Sequence, residues 1–158
     1  LAGLNIFAGG SRTGYSSSNA LDRSVDREEA IVGATFAYGP VTVGYQRSIE
    51  LTGLETASAV QFYQNNAFGV SFNINDNLSI SYGEYESTRQ TKTAGAAEGG
   101  GGTRANTEVT TTANSIQLAY TMGGMSIKVA ETDLDNSTYT SGTGSDFEAT
   151  TVALTLAF

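Results

Sequence analysis

The residues best equipped for chemistry in this chain are acids. Asp133, Asp135 and Asp146 flank the stretch 134–146 and offer the hard carboxylate oxygens that Ca²⁺ takes. The competing reading is an acidic loop that is simply solvated. Asp22, Asp26, Glu28 and Glu29 alternate with Arg23 and Arg27, a pattern that suits a salt-bridged rim. The four glycines at 99–102 invite comparison with a phosphate-binding loop. No Lys-Ser/Thr follows them and no strand-to-helix context surrounds them, so a loop tip is expected there. Calcium aside, no cofactor is expected.

The missing residue types narrow the chemistry further. The 158 residues include no His and no Cys. Ser-His-Asp and Cys-His nucleophiles are therefore excluded, as are imidazole and thiolate metal ligands and disulfides. A general base would have to lie elsewhere, and no enzyme activity is expected. With 8 Lys+Arg against 16 Asp+Glu, the net charge is −8. The pI is about 4.3 and no basic patch stands out, so a nucleic-acid partner is not expected.

The elements that would hold these residues are strands. Nineteen Gly and one Pro, with abundant Thr, Ser, Asn, Val and Tyr, describe β structure with many turns. Period-2 alternation predicts eight strands near 2–10, 28–39, 41–51, 59–74, 78–90, 107–122, 125–133 and 147–158. In "IVGATFAYGPVTVGY", Val32, Ala34, Phe36 and Tyr38 share one face. Val41, Val43 and Tyr45 share a face after the Gly39-Pro40 turn. The connections at 39–40, 75–77 and 123–124 are short and those at 11–27, 52–58, 91–106 and 134–146 are long. Short turns on one side and long loops on the other are the pattern of a membrane barrel. No run of about 18 apolar residues occurs, so no spanning helix is expected, whereas alternating strands escape that test. The chain opens at Leu1 with neither Met nor a signal peptide, which suits a mature protein or a piece of a longer one.

Opposite the apolar residues lies a small, polar and almost uncharged face, which suits a wall along water or a packed polar interior. In hydrocarbon such strands must close into a barrel, because every backbone group has to pair internally. On this parity Lys128, Arg89, Gln46 and Gln117 are the candidate pore-lining residues. Lys128 alternates with Ile127 and Val129, and a charge turned to lipid at mid-depth would cost ~2–4 kcal/mol. Tyr38, Phe72, Tyr120 and Phe158 sit on the apolar parity near the short turns, where amphipathic rings form a girdle at the membrane boundary. Arg47, Gln64 and Asn66 break the pattern by falling on the apolar parity. A bulge, a protein-covered wall, or a strand rising above the bilayer to the level of the lipid headgroups would each account for them. In an outer membrane, acidic loops could also bridge lipopolysaccharide phosphates through divalent ions.

"GATFAYGPVTVGYQRS", "NNAFGVSFNINDNLSISYGEYES" and "FEATTVALTLAF" resemble the general porins of gram-negative bacteria, particularly the alphaproteobacterial type. The resemblance covers most of the chain. It implies an all-β, antiparallel transmembrane barrel in the bacterial outer membrane, assembled as a homotrimer and conducting small hydrophilic solutes and ions by passive diffusion. It also implies that Phe158 is read by the barrel-assembly machinery. Porin barrels have about sixteen strands, so eight strands are expected to be the C-terminal half, with the family's constriction loop outside this sequence. The rival is a complete eight-stranded barrel with a structural or adhesion role. Its interior would be just wide enough for side chains to fill, and a face of Gly, Ala, Ser and Thr would leave it underfilled.

Overall fold

A computed structural model describes residues 2–14, 26–54, 58–92, 106–142 and 144–157. They form one antiparallel sheet of eight strands in sequence order. The strands are β1 (Leu4–Thr13), β2 (Arg27–Tyr38), β3 (Val41–Leu51), β4 (Val60–Asn73), β5 (Leu78–Lys92), β6 (Asn106–Met122), β7 (Met125–Asp135) and β8 (Phe147–Leu156). A single 3-10 turn, Ser137–Tyr139, interrupts the β7–β8 connection. β1 runs three residues beyond its expected end, and β5 and β7 two each, because the upper ends of the hairpins keep pairing where the alternation fades.

The short turns follow from their residues. Gly39 and Gly123 adopt φ of 55° and 57°, which the absence of a Cβ permits. Between β4 and β5 the Asn75 side-chain oxygen accepts the backbone N–H groups of Asn77 and Leu78 at 2.9 and 3.0 Å, which closes that turn. With tight turns setting the register, apolar parity meets apolar parity from strand to strand. Tyr38, Val41, Phe72, Ile80, Leu118, Val129 and Val152 form one continuous cross-strand row.

Among the described residues the sheet has no second layer. No hydrophobic side chain among the described residues is buried. Val152, Leu154 and Leu156 are 69, 60 and 51 % exposed, and Tyr38 reaches 78 %. The accessible surface is 10499 Å², against about 7,500 Å² for a soluble monomer of this mass. An open single sheet, with its apolar face uncovered, is expected to show such an excess. Among the described residues β1 pairs only with β2, and β8 only with β7, so both edges of the sheet are open.

Register also settles the position of Arg47, Gln64 and Asn66. Arg47 pairs regularly with Val32 and Asn66, and the one irregularity between β3 and β5 lies farther up, between Val60 and Phe62. No bulge turns these side chains inward. They stand on the apolar parity directly above Tyr45 and Phe68 and bond to one another there. Arg47 donates to Gln64 at 2.7 Å, and the Tyr45 hydroxyl donates to Asn66 at 3.1 Å. On β5 and β6 the Tyr82 hydroxyl marks the same boundary, donating to Asn114 at 2.9 Å and Glu84 at 3.1 Å. A polar collar thus crosses the apolar face at this level, with Ile49, Leu51 and Phe62 on the same parity beyond it.

Candidate functional site: the polar wall and the loop laid across it

The polar parity is the shielded side of the sheet. On β6, Ile116, Leu118 and Tyr120 are exposed while Ser115, Gln117 and Ala119 between them are half-buried. On β2, Arg27, Glu29 and Ile31 are half-buried and Gly33 is buried, whereas Glu28, Ala30 and Val32 are exposed. Among the described residues, no element other than the loop described below covers this face. A sheet curved toward this side accounts for the difference in exposure: a bent sheet crowds the side chains on its concave face and spreads those on its convex face. The small polar residues therefore line a concavity, and the large apolar ones face outward.

The lower wall is nearly bare. Gly44, Gly69 and Gly83 stand side by side on β3, β4 and β5. Lys128 lies on the wall with Ala119 and Ala153 as its cross-strand neighbours, and it is exposed. Gln117 sits beside Ser81 and Ala130, and Gln46 beside Gly33 and Ala67. Arg89, near the far end of β5, pairs with Tyr63 and Val109. The four sequence-predicted wall residues share one face but occupy separate rows, so they do not form a cluster.

A cluster exists higher up, where Arg89 joins residues that periodicity did not single out as wall residues. Ser11, Glu29, Glu50, Tyr63 and Arg89 are successive cross-strand neighbours on β1 to β5. Arg27 bridges the like charges of that row, reaching Glu29 at 2.5 Å and Glu50 at 2.9 Å. Below it, Asn65 donates to Ser48 at 3.1 Å and accepts hydroxyl protons from Tyr85 at 2.9 Å and Ser87 at 2.5 Å. One end of this row is acidic and the other, at Arg89, is cationic. The salt-bridged rim expected from the sequence is present in part. Arg12 reaches Asp26 at 2.8 Å and Glu28 at 3.6 Å on the opposite parity, while Asp22 and Arg23 lie outside the described residues.

The β7–β8 connection folds back onto this wall. Past Asp135 the chain turns through left-handed conformations at Asn136, Thr138 and Tyr139, with φ of 53°, 59° and 56°. Each costs of order 1–3 kcal/mol and persists only where surrounding contacts hold it. Those contacts are explicit. Asn136 donates its side-chain N–H to the Thr110 carbonyl at 3.0 Å, and its own carbonyl accepts from Thr111 at 2.7 Å. Tyr139 then reaches across β6 to β4 and β5. Its hydroxyl shares a 2.6 Å hydrogen bond with Ser87, and its carbonyl accepts from Arg89 at 3.1 Å. Its ring lies 4.9 Å from the Arg89 guanidinium carbon and 5.6 Å from the Tyr63 ring. Ser87 is only 2 % exposed beneath it.

The three aspartates expected to share a cation do not converge. Asp133 and Asp135 stand on the convex face of β7, opposite Asn114 and Thr112. Asp146 uses a carboxylate oxygen to accept the Asn136 N–H at 2.8 Å, which closes the base of the loop. Among the described residues no three acidic side chains come together to hold a metal. Tyr38, Phe72 and Tyr120 lie on the convex face beside the short turns, 78, 41 and 37 % exposed. Phe158 and the glycines at 99–102 lie outside the described residues.

The polar wall also carries large residues that the alternation of small and polar types concealed. Phe7 covers Gly33, and Leu134 and Phe147 face each other near the upper end of β7 and β8. Tyr139 gave no signal in the sequence, because "NSTYTSGTGSD" reads as any polar loop. No protein-family model, curated protein or solved structure matches this chain.

Proposed function

We propose that this chain forms part of the wall of an outer-membrane porin, a water-filled channel through which small hydrophilic solutes and ions diffuse passively. One observation carries the reading: most of the large apolar side chains are on the exposed face, and the more shielded face, Phe7, Leu134 and Phe147 apart, is mainly small and polar. Water on both sides would leave that convex band without any compensating burial. Acyl chains cover it, and water fills the concavity. The collar of Tyr45, Arg47, Gln64, Asn66, Tyr82 and Asn114 then lies where hydrocarbon gives way to headgroups.

The open edges of β1 and β8 support the same reading. In hydrocarbon an unpaired edge leaves its backbone groups unsatisfied, at several kcal/mol each. Further strands must therefore complete the barrel. Trimer assembly in a bacterial outer membrane, contact with lipopolysaccharide and insertion by the barrel-assembly machinery follow as parts of this proposal. Selection among solutes is by width and by wall charge, with no covalent chemistry.

Reconstitution of the detergent-purified full-length protein into planar bilayers tests this. Steady conductance steps of uniform size are expected. A silent bilayer, or a protein that stays monodisperse without detergent, would overturn it.

A further inference from the structure

We propose that the β7–β8 loop is a constriction of this channel, and that Tyr139 is the latch that holds it across the opening; this rests on the porin reading above. The loop does not extend away from the sheet as a surface connection would. It crosses the face of β6 and docks on β4 and β5, two strands away from its own hairpin. Its docking residues, Tyr63, Ser87 and Arg89, all belong to the polar wall, so the loop occupies space that the concavity would otherwise leave to water.

Its anchoring is specific at both ends. At the base, Asn136 is tied to Thr110, Thr111 and Asp146. At the tip, Tyr139 makes long-range contacts through its ring, its hydroxyl and its carbonyl. The left-handed backbone of Asn136, Thr138 and Tyr139 is held in place by these bonds, so removing the tip contacts lets the loop relax away from the wall. The latch has a second consequence. Among the described residues no carboxylate pairs with Arg89, and its Nε is buried without a hydrogen-bond partner there. The Tyr139 ring and carbonyl are what occupy its guanidinium group. With the loop seated, that charge is partly screened; with the loop released, it faces the opening and favours anionic solutes.

The test combines one measurement that needs conduction and one that does not. The chain contains no cysteine, so Ser87→Cys places a single thiol beneath Tyr139. A water-soluble maleimide should label this thiol slowly while Tyr139 is present, and roughly tenfold faster when Tyr139→Ala is added, because thiol reactivity follows exposure. In planar bilayers Tyr139→Ala should raise single-channel conductance roughly 1.5-fold and move the reversal potential toward anions. Tyr139→Phe, which keeps the ring over Arg89, should stay close to the unmodified protein. Rapid labelling of Ser87→Cys with Tyr139 intact would overturn the docked loop. A conducting protein whose conductance ignores Tyr139→Ala would overturn the constriction and leave the porin reading standing. A silent unmodified protein would overturn the porin reading and the constriction with it.

Discussion

Arg47 donates a hydrogen bond to Gln64 at 2.7 Å on the convex face of β3 and β4, one residue pair above the apolar Tyr45 and Phe68. A guanidinium on that parity would be costly at mid-depth in a bilayer. Here it has a partner, and under the proposed porin reading it stands where hydrocarbon gives way to headgroups.

Depth should therefore decide what a charge costs. Leu154→Arg, within the band, is expected to destabilise the folded protein by ~2–4 kcal/mol, whereas a cation near the interface costs ~0–1 kcal/mol. Arg47→Lys belongs to the second class. Urea titration of the protein folded in lipid vesicles measures both. Equal costs at the two positions would remove the boundary proposed at the collar.

Lys128 should act on ions and leave the fold alone. It is exposed on the polar wall between Ala119 and Ala153. Lys128→Glu is expected to shift ion selectivity toward cations with the unfolding midpoint unchanged. The reversal potential under a salt gradient reads this directly, and an unmoved value would place Lys128 outside the conducting path.

Gly33 and Phe7 should be energetically coupled. A Cβ at Gly33 would run into the Phe7 ring and come within 2.9 Å of the Tyr45 carbonyl oxygen. Gly33→Val is expected to cost ~1–3 kcal/mol through overpacking. Adding Phe7→Ala should recover only the part owed to the ring, since the carbonyl does not move with it. The double-mutant cycle, again by urea titration, should give a coupling of roughly 0.5–3 kcal/mol.

Thr52 should hold the upper end of the β3–β4 hairpin. Its hydroxyl lies 2.5 Å from the Val60 carbonyl and 3.1 Å from that of Gln61, at the register irregularity, and it accepts the Leu54 N–H at 3.3 Å. Thr52→Val removes these part-buried side-chain hydrogen bonds and should cost ~1–3 kcal/mol. Faster proteolytic cleavage near residues 53–59, with the rest of the sheet intact, is the expected readout.

Much of the strand plan could be read without coordinates. Alternation is a local property: a pleated chain sends successive side chains to opposite faces, so "TVALTLAF" declares its two faces by itself. Turn chemistry is equally local, which is why Gly39-Pro40, Asn75 and Gly123-Gly124 marked the ends of β2, β4 and β6. Together these determined an eight-strand antiparallel meander with one greasy side. Tertiary structure decided the rest. Which parity is shielded depends on the direction in which the whole sheet bends, and no single strand encodes that. The position of Arg47 and Gln64 came from unbroken pairing over two hairpins, and the Phe7–Gly33 contact from the register between β1 and β2. Tyr139 was out of reach altogether. Its partners Tyr63, Ser87 and Arg89 are 76, 52 and 50 positions away in the chain, and only the fold brings a polar loop down onto them.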